Sequence, residues 1–309
     1  MVMFTRAITT FLLMTFGVSW CIAGIGFAVG VHHAEGFGYM VLAAIFMFGP
    51  AIAAVVQQRL IDKGPWRDLG LDPRRIEWKA IGTTLLIGAA IVPLCLLVIA
   101  IAGNMLHGAA FGRVAITQER ALLNLKELIA QSGRGDADGL IALIGDRHFP
   151  GALWLLVMQV SAVLGALSFN LPFMLGEELG WRGYLFHATA AWPAWRRITF
   201  TGVVWGVWHT PLIAMGHNYP GHPLLGIPLM VVFCTLLAVL FDASRRASRT
   251  VWGPCVLHGS INGSAGGFAL FAWEGHELVG SPVGIAGFLA LILLGAVSMR
   301  LRFGQGASD

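Results

Sequence analysis

Residues 80–102 read AIGTTLLIGAAIVPLCLLVIAIA, without one charged side chain. A helix needs about 17–25 mostly apolar residues to cross the hydrocarbon of a bilayer, where every backbone N–H and C=O must find its partner within the segment. This run meets that length. Similar runs lie at 8–30, 40–56, 153–175, 198–215, 223–241, 251–271 and 282–299. The expected fold is an all-α polytopic membrane bundle of about eight transmembrane helices.

Composition agrees. The 309 residues are 57% hydrophobic and 12% charged, against about 25% charged in soluble domains. Mean hydropathy is +0.75. The mild positive charge does not point to nucleic acid, because the basic residues gather at the ends of apolar runs rather than on one face. The partner this composition implies is instead the lipid bilayer. The first run, to Val31, is too long for a signal peptide's apolar core and reads as a spanning helix. Cys21, Cys95, Cys234 and Cys255 all sit in apolar runs and suggest no disulfide framework.

Charge sets the expected topology. The loop 57–79 carries Arg59, Lys63, Arg67, Arg74, Arg75 and Lys79 and reads as cytoplasmic. Alternating from there puts Arg6, Arg182, Arg196, Arg197, Arg245, Arg246, Arg249, Arg300 and Arg302 on the same side. The short outer loops at 32–39, 216–222 and 272–281 hold no Lys or Arg. Eight spans with both termini cytoplasmic satisfy the rule at every short loop. The long loop 103–150 holds one amphipathic stretch, 117–131, with Thr117 as N-cap, expected to lie in the outer interface. The whole chain, 1–309, reads as a single membrane domain, and its short loops suggest a prokaryotic inner membrane.

Of sixteen acidic residues, Glu177 and Glu178 are read as abutting a spanning run and the other fourteen as lying in loops or tails. Of ten histidines, only His209 and His258 lie within a spanning run. An ionisable group in a bilayer costs about 2.5–3.5 kcal/mol on insertion scales, so function is the default expectation. Glu178 and Arg182, four residues apart on one helical face, can pair. Glu177 points about 100° away, without a local partner, and is the expected acting group. His258 and Asn262 share a face. Glycine ridges at Gly202/Gly206 and Gly259/Gly263/Gly267 allow the close packing expected to bring His209 to His258.

A carboxylate and two imidazoles suit catalytic zinc with one position open to water, which makes Glu177, His209 and His258 the candidate metal ligands and Zn2+ the candidate cofactor. The same groups can activate water without metal, Glu177 as base with His209, while His258 and Asn262 stabilise an oxyanion. Both readings imply hydrolysis.

Three motifs add a resemblance. Glu177-Glu178-Leu179-Gly180-Trp181-Arg182 matches EExxxR. Trp205-Gly206-Val207-Trp208-His209 matches FxxxH with Trp for Phe, and His258-Gly259-Ser260-Ile261-Asn262 matches HxxxN. In order and spacing, over a core at 153–271, the chain resembles the CAAX protease and bacteriocin-processing family of intramembrane peptidases, which includes the type II CAAX prenyl proteases. The resemblance implies an endopeptidase with Glu177, His209, His258 and Asn262 in catalysis and Glu178 and Arg182 in support. Trp205 is an aromatic-for-aromatic departure that bears on groove shape. Two other classes use the same residues: a proton- or ion-coupled transporter, and a non-proteolytic immunity or scaffold protein. Against the first, no ionisable residue lies in the first three spans and no inverted repeat is visible.

Overall fold

A computed structural model describes residues 6–31, 36–132, 138–139, 141–142, 147–301 and 303. The protein is almost entirely helical. The helices are α1 (Arg6–Ala28), α2 (Phe37–Phe46), α3 (Gly49–Val56), α4 (Trp78–Ile99), α5 (Gln118–Ser132), α6 (Gly151–Leu167), α7 (Leu171–Glu178), α8 (Leu185–Ala188), α9 (Ala194–Trp208), α10 (Thr210–Ala214), α11 (Pro223–Ser248), α12 (Trp252–Phe271) and α13 (Ile285–Arg300).

Four helical stretches among the described residues are long and apolar enough to cross a membrane: Arg6–Ala28, Phe37–Ile61, Trp78–Met105 and Pro223–Ser248. A fifth arises if the bent pair α6 and α7–α8 counts as one span. These apolar helices make the protein an integral membrane protein. Residues 32–35, Arg302 and the extreme chain ends, which entered the topology reading, lie outside the described residues.

Two expected spans are broken, and proline is the reason in each. The run 153–175 is bent by 63° between α6 and α7. Pro172 stands in the first turn of α7, where its missing N–H costs nothing, and the Asn170 side chain donates to the Gly259 carbonyl at 3.2 Å. The run 198–215 divides at His209. Pro211 cannot donate to the preceding turn, so α9 ends at Trp208 and the short α10 begins at Thr210.

The long loop holds more than the expected helix. The Arg120 N–H reaches the Thr117 hydroxyl at 3.2 Å, the expected N-cap contact of α5. Asn124 then ties α5 to the end of α12 by donating to the Ala269 and Ala272 carbonyls, both at 3.0 Å. A two-residue strand, β1 (Arg113–Val114), pairs antiparallel with β2 (Ala272–Trp273).

Helix α12 packs against α4, α6, α7 and α11, while α9 packs on α11. The glycine ridges do seat helices closely, but not His209's helix onto His258's. A Cβ at Gly202 or Gly206 would lie 2.5 Å from the Cα of Thr235 or Val231 on α11. A Cβ at Gly259 or Gly263 would lie 2.9 Å from the Cα of Ala166 or Ala162 on α6. The two histidines reach one cavity because α9 and α12 both pack against α11.

Charge burial is also wider than expected. Arg197, assigned to a cytoplasmic flank by sequence, is buried together with Asp242 between α9 and α11. They form a bidentate pair, Nε to Oδ1 at 2.7 Å and Nη2 to Oδ2 at 3.1 Å, and Arg246 adds a bond to Oδ2 at 2.9 Å. Helical register explains the miss. Asp242 lies one residue beyond the apolar run 223–241, yet α11 continues to Ser248 inside the fold.

Candidate active site

Glu177 and Glu178 close α7, just before a π-helical turn, Leu179–Tyr184, that carries Arg182. Such turns are rare and recur at functional sites. The arm lies flush on α3, because Gly180 leaves no room for more: a Cβ there would stand 2.5 Å from the Pro50 side chain. This close seating buries both carboxylates, Glu177 to 3% exposure and Glu178 to 0%.

The two glutamates face different partners, as their 100° separation requires. Glu178 is fully engaged. Arg182 donates from Nη1 to both of its oxygens, at 3.1 and 3.0 Å, and the His258 Nδ1 stands 2.8 Å from Oε1. The Arg182 guanidinium lies against two rings, 4.2 Å from the Trp205 centroid and 4.1 Å from that of Phe241. Among the described residues Glu177 has one close side-chain donor, the indole Nε1 of Trp205, at 2.9 Å from Oε2.

His209 occupies the C-cap of α9, and its Nδ1 lies 2.8 Å from the Trp205 carbonyl. A carbonyl can only accept, so Nδ1 carries the proton and Nε2 is the nitrogen open to a ligand. His258 is buried, with its ring centroid 5.6 Å from that of Trp205, edge to face. Asn262, one turn further along α12, is exposed, and its amide nitrogen donates to the Met174 sulfur at 3.7 Å, its one hydrogen-bond partner among the described residues.

Glu177, Trp205, His209, His258 and Asn262 line one cavity of about 170 Å3, with Phe46, Leu212, Phe233, Leu237 and Ile261 among its apolar walls. Glu178 and Arg182 do not line it. They stand behind His258 and Trp205. Of the six residues singled out by sequence, four therefore face one space and two support it.

Among the described residues, Glu177, Glu178 and His258 each offer a ligand atom within 4.8 Å of the others and could hold a metal ion. His209, the third ligand expected from sequence, is not in that compact set, although it shares the cavity. Sequence reasoning missed the part played by Trp205. Its signal was available, because a buried indole N–H normally finds an acceptor.

Residues 151–264 match the family model described as type II CAAX prenyl endopeptidase Rce1-like. No curated protein matches the chain. The matched segment runs from the start of α6 into α12 and contains all six candidate residues. It bears out the resemblance read from the three motifs.

Proposed function

We propose that this protein, which carries an Rce1-like domain of the CAAX protease and bacteriocin-processing type, is an intramembrane endopeptidase. It hydrolyses a peptide bond in a membrane-associated or lipidated protein or peptide. The family match implies a peptidase. The observation that carries the finer reading is the shared cavity: Glu177, His209, His258 and Asn262 converge on it, His217 and Asn218 also line it, and most of its other walls are apolar.

Glu177, held by Trp205 through one oxygen, takes a proton from a water molecule as that water attacks the scissile carbonyl carbon. The new C–O bond leaves a tetrahedral oxyanion. Asn262 donates to it, since its amide has no stronger acceptor than a methionine sulfur. Glu177 returns the proton to the departing amine as the C–N bond breaks. His258 is oriented by Glu178 through Nδ1, and His209 by the Trp205 carbonyl, so that each presents Nε2 to the reacting water or carbonyl.

The donor set also suits a divalent cation such as Zn2+. Glu177, His258 and His209 would hold it, while Glu178, already committed to Arg182, would orient His258 from behind. When bound, such an ion supplies Lewis acidity toward water and carbonyl.

Eight crossings with both termini cytoplasmic, in a prokaryotic inner membrane, complete the reading, with the positive loops as its support. The decisive experiment is cleavage of a peptide library by detergent-purified protein. Wild type should give discrete products and Glu177→Ala none. Equal cleavage by both would overturn the assignment.

A further inference from the structure

The residue at the centre of the site by geometry is neither a glutamate nor a histidine. Trp205 is 2% exposed. Its indole N–H donates to Glu177 Oε2 at 2.9 Å, and its carbonyl accepts from His209 Nδ1 at 2.8 Å. One face of its ring carries the Arg182 cation at 4.2 Å, and the His258 ring meets it edge to face at 5.6 Å. One residue thus touches Glu177, His209, His258 and Arg182. The motif pattern it occupies has phenylalanine, which fills the same space but has no N–H.

We propose that Trp205 is a positioning residue that fixes the carboxylate of Glu177 through its indole N–H. This rests on the reading of Glu177 as the group that activates water. Three steps support it. First, a glutamate side chain has several rotatable bonds, and a single charge-assisted hydrogen bond at one oxygen selects one carboxylate orientation, leaving Oε1 as the oxygen open to the cavity. Second, apart from Trp205, no side chain among the described residues donates to Glu177 at hydrogen-bond distance, whereas Glu178 has both Arg182 and His258. Third, a cation over the indole face draws density from the ring and strengthens its N–H as a donor. Arg182 thereby assists both glutamates: Glu178 by direct bonds and Glu177 through the ring of Trp205.

A purely structural role for Trp205 predicts something different. The ring fills space beside Phe241, with centroids 5.2 Å apart, and a phenylalanine would fill most of it. The two roles therefore separate in Trp205→Phe, which keeps an aromatic face for Arg182 and His258 and removes only the donor.

The test compares wild type, Trp205→Phe, Trp205→Leu and Glu177→Gln as full-length, detergent-purified proteins on one cleaved peptide. Trp205→Phe should lower kcat by about 10- to 100-fold with KM changed less than about threefold, the loss expected for one hydrogen bond to a charged group. Its thermal midpoint should stay near that of wild type, while that of Trp205→Leu should fall. Wild-type kcat in Trp205→Phe would overturn the proposal. If Glu177→Gln also kept wild-type turnover, the reading of Glu177 would fall with it. If Glu177→Gln were inactive, that reading would stand and only the role of Trp205 would be lost. A readout independent of turnover is the indole N–H resonance that disappears in Trp205→Phe. It should move in Glu177→Leu, and an unmoved resonance would overturn the hydrogen bond itself.

Discussion

The Nδ1 of His258 lies 2.8 Å from Oε1 of Glu178, a carboxylate that precedes it by eighty positions and is wholly buried. The same carboxylate takes both of its bonds to Arg182 from Nη1, at 3.1 and 3.0 Å. Glu178 is therefore the joint between the arm at 171–184 and helix α12. It fixes the histidine ring while its charge is met by the guanidinium.

Removing that guanidinium should damage the fold before the chemistry. Arg182→Ala leaves a buried carboxylate with only an imidazole to meet it, and breaking a buried pair costs about 3–5 kcal/mol. The expected outcome is a much lower yield and thermal midpoint. Arg182→Lys should recover only part of the loss, because an ammonium has no planar face to lay against the rings of Trp205 and Phe241. Thermal inactivation in detergent measures both. An Arg182→Ala protein as stable as wild type would remove the structural role.

Glu177 should behave in the opposite way. Glu177→Gln keeps the side chain's size and an oxygen to accept the Trp205 N–H, but it cannot take a proton from water. Turnover should fall by about 10²- to 10⁴-fold, the usual contribution of a general base, with the thermal midpoint unchanged. Active-site turnover and midpoint measured on one preparation decide this. Equal, mild effects from Glu177→Gln and Arg182→Ala would end the distinction between the two glutamates.

The second buried charge cluster predicts a stability effect without a catalytic one. Asp242 accepts from Arg197 at 2.7 and 3.1 Å and from Arg246 at 2.9 Å, and it is absent from the lining of the cavity that holds Glu177. Asp242→Ala leaves Arg197 buried and uncompensated, and should lower stability by about 3–5 kcal/mol. The kcat of the folded fraction, normalised to active protein, should match wild type. A loss of kcat at unchanged midpoint would contradict this separation.

Topology gives an independent check on the eight-crossing arrangement. A reporter fused after residue 309 should label from the cytoplasm, and one inserted in the 103–150 loop should label from outside. If both report the same side, an even number of crossings separates them and the positive-inside reading fails.

Much of the helical framework was legible, because a long apolar run without charge has few structural options in lipid. The site was legible for a related reason. Ionisable groups in apolar runs are costly and therefore few, so Glu177, Glu178, His209 and His258 stood out. What escaped notice depended on packing between distant segments. The break at His209 follows from Pro211, which a search for apolar length alone passes over. Arg197 and Asp242 look like ordinary flanking charges until α9 and α11 are laid side by side. Trp205 registered as one aromatic exchanged for another, because the acceptor for its N–H lies on a different helix.

The last prediction separates hydrolysis by Glu177 alone from hydrolysis assisted by zinc. If Glu177, His209 and His258 ligate Zn2+, the protein should purify with about one ion per chain, chelation should stop cleavage, and zinc should restore it. The geometry adds two finer outcomes. Glu178 contacts His258 through Nδ1, so Glu178→Gln should weaken metal binding about 10- to 100-fold as an outer-shell change, while His258→Ala should remove metal and activity together. Asn262→Ala should retain the ion and slow turnover by about 10²- to 10³-fold through loss of an oxyanion donor. Metal content by mass spectrometry, read beside turnover for each variant, distinguishes these cases. Full activity in rigorously metal-depleted protein would end the zinc reading and leave Glu177, held at one oxygen by Trp205, as the base that activates water.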